Sequence, residues 1–222
     1  MAEAVVDESD RPGGPRSRKG IRTRARLLEA AKQIFEEQGF LDARVSDVAE
    51  RAGLSHGSFY HYFECKEEVF LEVAQAQEER MGVGWLANGA LPLTDADIDT
   101  ADLVARACRE FLVRYQADAR IMGVIEQVSR YHEDFRQART IRETRSTEMA
   151  CNGLRMLQEA GRADPDLDPW VAGPALMGMV THFAEMWLVQ GTVECTLDEA
   201  VDNLTSLLVN SLGRAHDPDP SG

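Results

Sequence analysis

Four cysteines are all that the 222-residue chain contains, at positions 65, 108, 151 and 195, and no two form a CxxC pair. That spacing excludes a dense disulfide scaffold and the common zinc frameworks. No Gly-rich phosphate loop, HExxH or GxSxG occurs, and the five His are scattered. An enzyme is therefore not expected: no catalytic residue, no metal ligand set and no cofactor is assigned. Long apolar runs are missing as well. The most apolar stretch, Val171 to Val189, is interrupted by Gly173, Pro174, Thr181, His182 and Glu185, so no membrane span and no membrane partner are expected. The opening residues MAEAVVDESD are acidic and carry no apolar segment, unlike a secretory signal. These absences point to a reduced, cytoplasmic protein. No alternating β pattern and no internal repeat is found.

What is present is ordinary globular material, with 44% hydrophobic and 28% charged residues in 24.7 kDa. This excludes a wholly disordered chain and allows one domain or two small ones. The net charge of −14 is unevenly placed. Residues 1–13 carry −3, residues 14–66 carry +3 and residues 67–222 carry −14. All three Lys (19, 32 and 66) lie in the middle block, and Arg16 to Lys32 holds seven positive charges against Glu29 alone. A small basic head on an acidic body fits a head that meets a polyanion. Charge alone fits a solvated basic tail equally well.

Periodicity places helices along nearly the whole chain. Leu27, Leu28, Ala31, Ile34 and Phe35 recur at three and four, predicting a first helix over Ile21 to Gln38, stopped by Gly39. A short second helix is expected over Arg44 to Ala52, ended by Gly53, and a third begins after the N-cap Ser55 and runs to Phe63. A fourth starts at Lys66 with Val69, Phe70, Val73 and Ala74 inward and ends near Gly82 or Gly84. Residues 82–99 read as a loop. Further helices are expected at 102–116, 120–130, 134–160, 169–190 and 196–212, the last opened by a Thr196/Glu199 capping box. Residues 1–17 and 214–222 read as disordered tails. The fold class is all-α with about nine helices.

Residues 44–63, RVSDVAERAGLSHGSFYHYF, carry the strongest local signal. A two-turn helix ends at a glycine, and a capped second helix starts two residues later, the pattern of a helix-turn-helix. Ala52 lets the helices approach, Gly53 takes the left-handed conformation and Leu54 plugs the core. Phe59, Tyr62 and Phe63 supply a core-facing side. His56, Gly57, Ser58, Tyr60 and His61 are left outward, small and polar enough to enter a major groove. Read from periodicity alone, an aromatic-rich helix buried in an ordinary bundle remains open.

Residues 22–74 resemble the DNA-binding domain of TetR-family transcriptional repressors. The resemblance runs through the Leu/Ala-patterned first helix, Gly39-Phe40, Val45 with Val48-Ala49, Ala52-Gly53-Leu54-Ser55, Gly57, Phe59-Tyr60-His61-Tyr62-Phe63 and Lys66-Glu67. It implies an all-α, dimeric, ligand-responsive repressor on a palindromic operator in double-stranded DNA. The implied organisation is a DNA-binding three-helix domain over 18–65 and a ligand-binding and dimerisation domain over 66–213. The positions matching the family's DNA contacts are Arg44, His56, Gly57, Tyr60, His61 and Lys66, and the neighbouring Ser55 and Ser58 join them as candidates. Arg16, Arg18, Lys19, Arg22 and Arg24 offer an arm for phosphates or the minor groove. Three departures stand out. Ala43 replaces the usual Thr or Ser, leaving Asp42 to cap the second helix. His56 replaces a Lys or Arg. Cys65 replaces a Ser, leaving Glu68 to partner the start of the fourth helix.

The acidic body carries no motif, but its patterns are informative. The 169–190 helix is apolar nearly all round and is expected to be buried on every face, one side against its own chain and the other against a partner or a cavity. The 196–212 helix offers a stripe of Leu197, Val201, Leu204, Leu208 and Leu212. Two such helices from each of two chains would make a four-helix homodimer interface. The alternative is an intramolecular core. Trp85, Phe111, Tyr115, Met122, Met149, Met177 and Phe183 are the candidates for a pocket taking a small apolar or amphipathic effector, with ordinary core as the competing reading. Tyr115, His132 and His182 are the groups that would orient its polar end.

Overall fold

A computed structural model of the chain describes residues 18–82, 99–131 and 133–213. The expected tails, the 83–98 segment with Trp85, and His132 lie outside the described residues. Among the described residues there are nine helices and no strand. They are α1 (Arg18–Asp42), α2 (Val45–Arg51), α3 (His56–Phe59), α4 (Lys66–Gly82), α5 (Thr100–Ala117), α6 (Ala119–Ser129), α7 (Glu133–Glu159), α8 (Pro169–Leu188) and α9 (Leu197–Leu212). The chain divides into two compact units, Met1–Gln75 and Ala76–Gly222.

In the first unit, the three- and four-residue spacing of α1 buries Leu27, Ala31, Ile34 and Phe35 on one face. Phe35, Phe40 and Phe70 interlock, with Phe35 edge-on to Phe70 at 5.1 Å and Phe40 against Phe70 at 4.8 Å. Gly39 breaks the helical path of α1 at φ 75°, so the expected stop is a kink followed by one more short turn. Arg24 pairs with Glu72 of α4 and lies over the Phe63 ring at 4.7 Å. It is thus spent on the fold rather than free for a phosphate, unlike the exposed Arg18, Lys19 and Arg22.

In the second unit α7 packs along α8, and α5 along α9. Leu103, Cys108, Leu112, Leu154, Leu157, Val180 and Ala184 form the core, together with Val201, Leu204, Leu208 and Leu212 of α9. The Thr196/Glu199 capping box forms as expected, and the hydrogen bonds from Thr196 hold the Glu199 carboxyl below its ordinary range. Burial pushes the Cys108 thiol up to about 12, against the opposing pull of its hydrogen bond with Thr205.

One expectation about this unit is corrected. The α9 stripe is not left for a partner: Val201, Leu204, Leu208 and Leu212 are buried inside their own chain. Helix α8 buries one side against its own chain and leaves another side uncovered by it. Only Gly173, Val180 and Ala184 are buried, while Val171, Ala175, Gly178, His182 and Val189 form an exposed stripe. Among the described residues no helix is long and apolar enough to cross a membrane.

Candidate nucleic-acid interface

The turn between α2 and α3 is fixed by backbone hydrogen bonds. Gly53 N–H donates to Glu50 O at 2.8 Å, and Leu54 N–H donates to Ala49 O at 2.9 Å. Gly53 sits at φ 67°, the left-handed conformation this helix ending requires. Arg26 donates to the Ala52 carbonyl, tying α1 to the same turn. Arg51 grips Glu37 with two hydrogen bonds of 2.7 and 2.8 Å, which raise its pKa further. The turn is therefore held from both sides, and α3 leaves it in one defined direction.

Ser55 caps α3 as expected. Its Oγ accepts from Ser58 N–H at 3.3 Å and lies 2.7 Å from Ser58 Oγ. The helix is shorter than the pattern suggested. It closes at Phe59, and residues 60–62 continue as turns held by Tyr62 N–H and Phe63 N–H on the Phe59 carbonyl. Phe59 and Phe63 are fully buried, and Tyr62 is half-buried. Tyr60 is 51% exposed, and His56 and His61 are exposed too. The bundle reading fails here: anchoring aromatics point inward and polar rings outward. Tyr60 packs edge-to-face on His56 at 5.2 Å and on Phe59 at 5.4 Å, so one ring props the next. A Cβ added at Gly57 would meet nothing within 4 Å. The protein's own packing does not require a glycine there.

Arg44 is exposed and stands at the α2 N-cap with extended backbone, without a side-chain cap. Asp42 therefore does not take over the capping that Ala43 cannot provide. At the next helix start the expectation holds, and Glu68 accepts from Glu64 N–H in front of α4.

Lys66 has a different task from the phosphate contact expected of it. Its Nζ donates to the carbonyls of Phe40 at 2.7 Å, Leu41 at 3.2 Å and Ala43 at 3.0 Å, and lies over the Phe40 ring at 4.6 Å. An ammonium has three N–H donors, and all three are used. Sequence spacing could not reveal this, because the acceptors are backbone atoms more than twenty residues away. Lys66→Met should destabilise the amino-terminal unit by about 2–3 kcal/mol, since charge-assisted hydrogen bonds are lost and carbonyls stranded. Thermal denaturation checks this. An unchanged melting temperature with weakened DNA binding would restore the phosphate role.

Five of the effector candidates meet in the apolar core of the second unit, with Phe111 and Tyr115 inside it and Met122, Met177 and Phe183 packed against it. Phe111 and Tyr115 are buried on α5, with rings 5.8 Å apart, while Met122 on α6, Met149 on α7, and Met177 and Phe183 on α8 are half-buried. None lines the apolar cavity of about 30 Å³ between α5, α7, α8 and α9. That cavity is walled by Val104, Ala107, Leu154, Gly173, Leu176 and Leu208, with Ala150, Leu157 and Leu212 completing it. Sequence reasoning missed these residues because they carry no polar or aromatic mark; only the helix crossing unites them. His182 is exposed, with Nδ1 3.6 Å from Glu185. Among the described residues no group of His, Cys, Asp and Glu could hold a metal ion.

Residues 27–73 match the family model of the bacterial regulatory proteins of the tetR family. The uncharacterized HTH-type transcriptional regulator YdgC of Bacillus subtilis is 27% identical over 184 residues, covering 78% of this chain and 85% of YdgC. The HTH-type transcriptional repressor AcnR of Corynebacterium efficiens is 35% identical over 71 residues, which are 32% of this chain and 38% of AcnR. The solved structure of the transcriptional regulator FadR from Bacillus subtilis, in complex with stearoyl-CoA, superposes with a TM-score of 0.65 at 18% identity. That match covers 84% of this chain and 98% of FadR. With the matched motif, the helix-turn-helix geometry and the all-α fold in agreement, residues 27–73 form a DNA-binding domain of the tetR-family type, and the chain as a whole is similar to TetR-family transcriptional regulators.

Proposed function

We propose that this regulator is a repressor that binds an inverted-repeat operator as a homodimer and is released by a small apolar or amphipathic effector. The observation that carries the DNA half is the sidedness of α3 and its following turn: Phe59 and Phe63 buried beneath exposed His56, Tyr60 and His61. In this reading α3 enters the major groove, with Arg44, Ser55, His56, Gly57, Ser58, Tyr60 and His61 facing DNA. Lys66 stands behind them as a brace. Arg18, Lys19 and Arg22 lie along phosphates, which makes binding steeply salt-dependent. The second copy docks on the exposed α8 stripe of Val171, Ala175, Gly178, His182 and Val189. Two reading heads then match sites one helical turn apart, about 34–36 Å.

The effector half is supported by the apolar lining of the cavity and by the stearoyl-CoA bound to the FadR neighbour. A partly open pocket of about 30 Å³ is small for a drug-sized effector, which would have to widen the gap between these helices. That opening is what would couple ligand to DNA. The same small volume favours the second reading, a DNA-binding regulator or activator without ligand control.

Selection of bound duplexes from a random pool tests the first half. Enrichment of an inverted repeat is expected, and no enrichment would refute DNA recognition. Titrating stearoyl-CoA, shorter acyl-CoAs and free fatty acids into the recovered complex tests the second half. Release by one of them is expected, and a flat response across the panel leaves ligand-independent regulation standing.

A further inference from the structure

The geometry points to His56 and His61 as proton-dependent phosphate contacts, through which operator affinity rises as pH falls from 8 to 6. This rests on the reading that α3 faces DNA.

The argument starts from a shortage. From Ala52 to Cys65 the chain has no Lys or Arg. Between residues 44 and 66 the fixed cations are Arg44, Arg51 and Lys66. Arg51 is held by Glu37, and Lys66 by three carbonyls. That leaves Arg44 as the permanent positive charge of this stretch, on a surface that has to meet a polyanion. The other groups there able to become cations are the imidazoles of His56 and His61.

Both imidazoles are exposed, and neither makes a hydrogen bond or ion pair with a described residue. His56 is held outward by Tyr60, ring to ring at 5.2 Å and 72°. The charged groups of the adjoining elements are Arg44, Asp47, Glu50 and Arg51 on and before α2, and Glu64, Lys66, Glu67 and Glu68 at the start of α4. Arg24, from α1, lies over Phe63 and pairs with Glu72. None of the carboxylates comes within ion-pair distance of either ring, so no internal partner competes with DNA for the proton.

An imidazole ordinarily titrates between pH 5 and 8. A protonated imidazole meets a phosphate as a cation rather than as a neutral donor, and the field of a polyanion favours the protonated form. Each ring can take up one proton on binding, two per chain and four per dimer. The salt slope should steepen by about 0.9 for each phosphate newly neutralised.

Fluorescence anisotropy of the full chain, at constant ionic strength, tests this on the duplex recovered by selection and on a mixed-sequence duplex of equal length. Wild type should tighten at least tenfold on both duplexes between pH 8 and 6. His56→Gln/His61→Gln should lose that dependence. His56→Lys should bind more tightly than wild type at pH 8 and show a shallower pH response, a result that no merely structural role produces. A flat wild-type profile overturns the proposal. So does an equal slope in wild type and the double variant, or a His56→Lys variant that gains nothing at pH 8. Failure of the wild type to prefer the selected duplex at any pH instead removes the DNA-facing reading itself.

Discussion

Tyr60→Ala/His61→Ala is expected to lose about a hundredfold or more in affinity for the selected duplex while the chain keeps its fold and its oligomeric state, whatever that state is. The size follows from the proposal that both side chains face DNA, each then carrying about 1–3 kcal/mol of discrimination or positioning. The specificity of the loss follows from geometry. Tyr60 is half in solvent and touches Phe59 and His56 only with its ring, and His61 is exposed. The side chains that hold the turn in place, Phe59 and Phe63, are not altered. Surface substitutions of this kind change stability by about 0.5 kcal/mol. Anisotropy with the selected duplex gives the affinity, and denaturation and sedimentation give the fold and the oligomer. Retained affinity would mean that α3 does not read DNA. The contrast with Lys66→Met is the control: there the melting temperature moves first and DNA binding fails as a consequence.

The helix-turn-helix was legible because its determinants are local. Gly53 marks a left-handed residue, Ser55 a cap, and aromatics three and four apart a buried side, and each acts within one turn of its own position. The capping box at Thr196 and Glu199 was legible for the same reason. Determinants that depend on a distant segment were not. Lys66 looked like a phosphate ligand because a lysine at a helix start carries no trace of the carbonyls of Phe40, Leu41 and Ala43 that will occupy it. Arg24 looked like part of a basic arm until Glu72 and Phe63 claimed it.

Helices α8 and α9 illustrate a second limit. An apolar stripe states that burial is needed, not whose surface supplies it. The regular stripe of α9 suited a partner helix, yet α5 of the same chain covers it. The more uniformly apolar α8 called for cover on a second side without naming its source, and one face carries small residues and His182 out to solvent. The cavity was illegible for a related reason: it exists only where four helices cross imperfectly, and its walls are plain Val, Ala, Leu and Gly.

At Gly173 helix α8 lies close against the backbone of α7. Glycine in a helix interior costs about 1 kcal/mol relative to Ala, so propensity alone favours Gly173→Ala. Packing reverses the sign. A Cβ at Gly173 would lie 2.9 Å from the backbone carbon and oxygen of Ala150 and 3.0 Å from Cys151 N. Backbone atoms cannot rotate away as a side chain would, so α7 and α8 must separate. Gly173→Ala should therefore lower unfolding stability by about 2 kcal/mol and Gly173→Val by about 4, the range for an overpacked core contact. Urea denaturation followed by tryptophan fluorescence measures both. Ala150→Gly should not rescue either variant, because the clash is with backbone that remains. A Gly173→Ala variant as stable as wild type would mean that the helices are not in close approach. Gly173 also lines the cavity, so the same substitution prises apart the seam that an effector would have to open. If ligand and operator are coupled there, folded Gly173→Ala should bind operator more weakly than wild type with no effector present. If regulation is ligand-independent, its affinity should be unchanged, and the seam is only core.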